Sequence, residues 1–180
     1  MKRAALVALA LLAACADSKK GPGFESDWER EHAGVLAEPA QETLPTPPAQ
    51  PRAEDLLPFD VGQPGSFRYF VDPKSIGVSG SRVQYTLVAR SPSGVGNVSF
   101  EAIDCRDGQF RSFARGSDSG AWIERATPWR PIRTPLNAPQ FTLYVQYFCP
   151  NGVAVHDVPE AAGALRAGGH PYARPGAQAR

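Results

Sequence analysis

The stretch that most constrains the fold is Arg82–Cys105, RVQYTLVARSPSGVGNVSFEAIDC. Val83, Tyr85, Leu87 and Ala89 alternate with Arg82, Gln84, Thr86 and Arg90. A period of two puts one apolar face on a core and one polar face in water, the pattern of a half-buried β-strand. Ser91-Pro92-Ser93-Gly94 is a turn run. Beyond it Val98, Phe100 and Ala102 share one phase, and Ile103 and Cys105 carry the apolar character onto the other. That slip predicts a β-bulge near Ala102 or a strand buried on both faces. An antiparallel hairpin is therefore expected at the centre of the fold.

The flanking segments extend the same pattern. Leu56-Leu57-Pro58-Phe59 leads into the domain, and Ser66–Asp72 predicts a strand with Phe67, Tyr69 and Val71 on one face. Pro73 is expected to stop that strand, because proline cannot donate to a ladder, and Asp72-Pro73-Lys74-Ser75 reads as a turn. Gly80-Ser81 joins Ile76 and Val78 to the hairpin. Asp107-Gly108 is a tight-turn signal that leads into Gln109–Arg115, with Phe110 and Phe113. A polar turn over Arg115–Gly120 precedes a short strand at Ala121–Arg125. Pro128, Pro131, Pro135 and Pro139 make Thr127–Pro139 a loop, with Trp129 and Ile132 pinned on the core. In Phe141–Cys149, alternate residues Phe141, Leu143, Val145, Tyr147 and Cys149 predict a last strand, apolar enough to be central.

A C-terminal helix follows, with Asp157 as cap, Pro159 in the first turn and Gly168-Gly169 at the end. Leu165 is its one large apolar anchor. The expected class is α+β: mainly an antiparallel β-sheet of about five or six strands with a C-terminal helix, preceded by a signal peptide and a Pro-rich tether. The expected boundaries are a leader over 1–14, a lipidated tether over 15–58, the β-rich domain over 59–169 and a disordered basic tail over 170–180.

The N-terminus speaks to location. Lys2-Arg3 is a charged start, and Ala4–Ala14 is an apolar run too short to span a bilayer. The run ends in Leu12-Ala13-Ala14-Cys15, which resembles the lipobox of bacterial lipoproteins. An ordinary secretory leader with a stray cysteine is the other reading. With a lipid on Cys15 the chain is expected to be anchored to a membrane of the cell envelope. Ala16 leans the expectation toward the outer membrane facing the periplasm, and Asp17 weakens that lean. Ala16–Pro58 is Pro-rich and too poor in apolar residues to fold alone, so it reads as a tether with a reach on the order of 35–40 Å. Within it Phe24 and Trp28 lie four apart among acidic residues, either as a docking patch or as a locally sticky piece of tether. The formal net charge is +1, falling to −1 without Lys2 and Arg3, so no nucleic-acid partner is indicated.

With Cys15 assigned, Cys105 and Cys149 remain. In an oxidising compartment such a pair reads as a disulfide; a catalytic Cys149 near His156 is the competing reading. The histidines are His32, His156 and His170, too scattered in sequence to name a metal set. No phosphate loop, dinucleotide fingerprint or nucleophile elbow is present, and Ser91-Pro92-Ser93-Gly94 reads as a turn. Glu101, Asp104, Asp118 and Glu124 could pair as carboxylates only through the fold. No cofactor, metal site or catalytic residue is expected. Arg90, Arg115, Trp122, Trp129 and Arg130 are the candidate binding surface, because Trp and Arg dominate binding hot spots. The alternative is that the tryptophans are core and the arginines are solvated strand-edge charges.

Five blocks carry a resemblance: Phe70-Val71-Asp72-Pro73-Lys74-Ser75-Ile76, Tyr85–Ser91, Asn97–Glu101, Trp129-Arg130-Pro131-Ile132 and Tyr147-Phe148-Cys149-Pro150. In this order they resemble the cryptic neisserial protein-like family of betaproteobacterial envelope proteins, from about Phe24 to Leu165. The spacing is more weakly similar to surface-adhesin protein E-like domains. The resemblance implies an envelope domain of uncharacterised function. It supports pairing of Cys105 with Cys149, and it brings no catalytic residues. The expectation is a non-catalytic binding module that contacts another envelope component. A small-ligand or enzymatic domain with a pocket between sheet and helix, and an adhesin-like surface protein, are the alternatives.

Overall fold

In the computed structural model, residues 43–62, 67–117, 119–133 and 136–173 are described. The leader, Cys15, the Phe24 and Trp28 patch and the tail beyond 173 lie outside these residues.

The hairpin expected at the centre is there. β3 (Arg82–Arg90) pairs β4 (Gly96–Asp104) in an unbroken antiparallel register from Arg82↔Asp104 to Arg90↔Gly96. Around it run β1 (Leu57–Phe59), β2 (Arg68–Ser79), β5 (Gln109–Gly116) and β6 (Trp122–Glu124). The spatial order is β1-β2-β3-β4-β5-β6, and β7 (Arg130–Pro131) pairs β5. From β1 to β6 each strand thus neighbours the one before it, a meander, and β7 returns to β5 beyond the end of β6. Gly108 serves the Asp107-Gly108 turn between β4 and β5 with φ 59°, a backbone region that glycine enters without a Cβ clash. Of the two alternatives for β4, burial on both faces is the one that holds, over its second half. Phe100 to Asp104 are all buried, so the strand is covered on both faces there, and its ladder with β5 shifts register between Phe100 and Glu101. The extra residue, Phe113, is on β5.

Two strand expectations are corrected. Pro73 does not end β2. The strand runs through it, and residues 73–76 bulge out opposite the single residue Tyr85. A bulge is where a strand tolerates a residue without a ladder donor. Side chains replace the missing ladder: Asp72 Oδ1 accepts from Lys74 N at 2.9 Å, Ser75 Oγ donates to Asp72 O at 2.7 Å, and Thr86 N donates to Ser75 Oγ at 2.7 Å.

The second correction is larger. The expected central strand over Phe141–Cys149 is helical: α1 (Ala138–Thr142) continues as a π-helical run, Leu143–Phe148. Its alternating sequence suits a strand, but β6 and β7 already occupy the outer edge of β5. What lacks a cover is the sheet face carrying Val71, Val83, Tyr85 and Ile103. Coiled as a helix, the segment brings Leu143, Tyr147 and Phe148 onto that face. Tyr85 and Phe148 pack with ring centroids 5.4 Å apart. Tertiary burial outweighs the local strand preference.

α2 (Val158–Ala167) completes the cover. Asp157 Oδ1 accepts from Glu160 N at 2.9 Å, and Gly168 takes the left-handed C-cap conformation with φ 75°. Leu165, Ala161, Ala162 and Ala164 are buried, small residues allowing close approach to the sheet. Cys105 and Cys149 form a disulfide, Cα–Cα 5.4 Å, tying the end of β4 to the end of the π-helical run.

Candidate functional site

The alternation that builds the hairpin also places a charge under the helices. Phe100 and Ala102 point to one face of β4, where they cluster with Phe113, Ala114, Trp122 and Trp129. Glu101 points to the other, opposite Ser112 on β5 and beside Tyr85 on β3. Its residue surface is only 5% exposed. Three neutral donors meet the carboxylate: Tyr85 Oη donates to Oε2 at 3.1 Å, Gln140 Nε2 to Oε2 at 2.8 Å, and Ser99 Oγ to Oε1 at 2.7 Å. Gln140 comes from α1, so the carboxylate joins both central strands to the helical cover.

Burial pushes the Glu101 carboxyl above the ordinary glutamate range, and the three hydrogen bonds and the charge of Arg115 offset part of that rise. The phenol of Tyr85 is held well above its usual value by its own burial and by the neighbouring Glu101.

Glu101 is part of the wall of a cavity of about 470 Å³ between the sheet and α1, which Ser99, Ser112, Arg115, Arg130 and Gln140 also line. Thr127 closes one side: its N–H donates to Ser112 O at 2.8 Å, and its Oγ1 accepts from Ser112 N at 3.1 Å. A second hollow of about 730 Å³ shares Phe110, Arg130 and Gln140 with the first and reaches Asn137 and the exposed Leu136. A third, about 490 Å³, lies at Phe59, Tyr69 and Tyr147, where the side chains are mainly aromatic. The first combines buried and exposed charge in one concave space, so it is the candidate site.

The five residues of the expected binding surface divide between the sheet's two faces. Arg115 and Arg130 are exposed and line the Glu101 cavity. The other three lie on the opposite face. Trp122 is half-buried, and its Nε1 donates to Pro48 O at 2.6 Å. Trp129 is stacked by the guanidiniums of Arg82 and Arg111 at 4.9 and 5.4 Å from its ring centroid. Arg90 lies 4.9 Å over Phe70, whose ring also carries Arg68. Sequence reasoning singled out Glu101 only as one of four carboxylates and did not name Gln140. The available signal was an acidic residue inside the run Phe100–Asp104 whose neighbours are all apolar at Phe100, Ala102 and Ile103.

The remaining chemistry lies elsewhere. Ser91 accepts from Gly94 N at 2.9 Å through its carbonyl, so it is a turn residue. His156 is exposed beside Asp157, and His170 is buried against Glu160 with Nε2···Oε1 2.9 Å. Tyr172 N donates to His170 Nδ1 at 3.2 Å, which leaves the ring proton on Nε2 to donate to Glu160. Among the described residues no three His, Cys, Asp or Glu side chains are gathered closely enough to hold a metal ion.

A family model described as the CNP1-like family matches residues 36–166. The chain belongs to the CNP1-like family. The match spans the whole meander, α1 and nearly all of α2, so the Glu101 cavity is built entirely from the portion that the CNP1-like family covers. No curated protein and no solved structure matches the chain.

Proposed function

We propose that this CNP1-like chain is a non-catalytic binding module of the bacterial cell envelope that receives a polar ligand in the Glu101 cavity. The observation that carries the reading is a buried carboxylate, held by Tyr85, Ser99 and Gln140, in the wall of a cavity that also presents two exposed arginines. Preset polar groups in a concave space between packed elements are the usual construction of a ligand site. Binding is favoured over catalysis because, among the described residues, neither a thiol nor a histidine lines the cavity: Cys105 and Cys149 are in the disulfide, His156 and His170 flank α2, and the Glu101 carboxylate is held by the hydrogen bonds of Tyr85, Ser99 and Gln140. The envelope location and a lipid on Cys15 rest on Leu12-Ala13-Ala14-Cys15 and its apolar leader, and the disulfide agrees with an oxidising compartment.

Photo-crosslinking in living cells tests this, with probes at Asn97 and Thr127 in the cavity and at Arg90 and Trp122 on the opposite face. Adducts confined to the cavity probes are expected. Adducts confined to Arg90 or Trp122, or none at any position in a well-expressed chain, refute the assignment. In the same cells Cys15→Ser should move the protein out of the membrane fraction; persistent membrane association would defeat the anchor.

A further inference from the structure

The Glu101 cavity holds both signs of charge at fixed places, and each sign is left incomplete. Among the described residues Glu101 has no cation within ion-pair distance; its partners are the hydroxyls of Tyr85 and Ser99 and the amide of Gln140. An ionised carboxylate offers about four acceptor sites. Oε2 takes two donors and Oε1 takes one, so Oε1 keeps acceptor capacity on a residue that lines the cavity.

Arg115 and Arg130 are the complement. Both are exposed and line the same cavity, and among the described residues neither guanidinium has a hydrogen-bond or ion-pair partner. This sets them apart from Arg82, which pairs with Asp104 at 3.1 Å, and from Arg90, which is stacked on Phe70. A guanidinium presents a planar fork that matches a carboxylate with two parallel hydrogen bonds. A simple anion would meet Arg115 and Arg130 but also the field of Glu101, and a simple cation would meet the reverse.

Resting on the reading of the cavity as the binding site, we propose that it takes a small zwitterion of the amino-acid or short-peptide kind. The ammonium group donates to Glu101 Oε1, and the carboxylate is forked by Arg115 and Arg130. The cavity volume of about 470 Å³ admits a molecule of this size.

Titration calorimetry on the purified full-length protein tests the assignment with three probes: L-alanyl-L-alanine, its N-acetyl derivative and its C-terminal amide. The free dipeptide is expected to bind about tenfold or more tightly than either capped form, since each cap removes one charge-assisted contact. Arg115→Gln should weaken the preference for the free over the amidated form, and Arg115→Gln with Arg130→Gln should erase it, while both keep the preference over the acetylated one. Glu101→Gln should do the opposite, a crossed pattern that general unfolding does not produce. Equal binding of the three probes, no binding of the dipeptide, or preferences unchanged in the double arginine variant and in Glu101→Gln overturns the zwitterion. If the dipeptide fails while cavity crosslinks persist, the charge assignment falls and the cavity remains the binding site.

Discussion

Removing the disulfide by the double substitution Cys105→Ala and Cys149→Ala gives the sharpest test of how this domain is held together. The bridge joins residues separated by 44 positions, and β5, β6, β7 and α1 all lie inside the loop it closes. In the chain-entropy account a loop of this length restricts the unfolded chain by about 13 cal/mol/K, or about 4 kcal/mol at 25 °C. Both cysteines are 1% exposed, so deleting the buried sulfurs adds a packing loss of about 1 kcal/mol. At roughly 3–4 °C per kcal/mol for a domain of this size, the melting temperature should fall by about 15–20 °C. Thermal unfolding followed by circular dichroism measures this, with and without reductant. The wild type under reductant should lose most of the same increment, and the double variant should not respond. Because the effect acts on the unfolded chain, the guanidinium m-value should rise in the variant as that chain expands. A fall of under about 4 °C with an unchanged m-value would refute the argument that the bridge works by restricting the unfolded state.

Two further outcomes follow from the network and the helix cap. The Glu101 carboxyl titrates above its unfolded value because burial opposes its charge. The native state therefore holds this proton more tightly than the unfolded chain, and the contribution falls as pH rises from the ordinary glutamate range through the higher folded value. Denaturant melts between about pH 4 and pH 8 should show Glu101→Gln lacking that decline, and parallel curves for the two proteins would contradict the buried-charge reading. Asp157→Ala should cost about 1 kcal/mol by removing the acceptor for Glu160 N, and Asp157→Asn should restore most of it. Equal melting temperatures for the two substitutions would show that the cap contributes nothing.

Features set within a few residues of one another were legible in the chain. The alternation in Val83–Ala89, the turn residues at Ser91–Gly94 and Asp107-Gly108, and the Asp157 and Gly168 caps each specify a local backbone shape. They sufficed for the antiparallel sheet, the class and the last helix, while the order of the strands came only from the fold. The two strand errors came where local preference was overruled. Pro73 removes a ladder donor, but Ser75 and Asp72 supply substitutes at 2.7–2.9 Å, and only the packed bulge reveals it. Phe141–Phe148 alternates as a strand does, yet a sheet face without a cover and an edge already occupied by β6 and β7 coil it into a helix.

The candidate site belongs to the same category. The sequence alone supplied a polar glutamate inside a buried strand, two arginines and a glutamine, with nothing to join them. Gln140 reaches Glu101 across a separation of 39 residues only because α1 lies over the sheet. Arg115 and Arg130 part from Trp122, Trp129 and Arg90 because the two sheet faces point opposite ways. Periodicity and turn chemistry are local and can be read along the chain. Which surfaces finally meet is decided by burial of the whole sheet face, which acts between residues far apart in sequence.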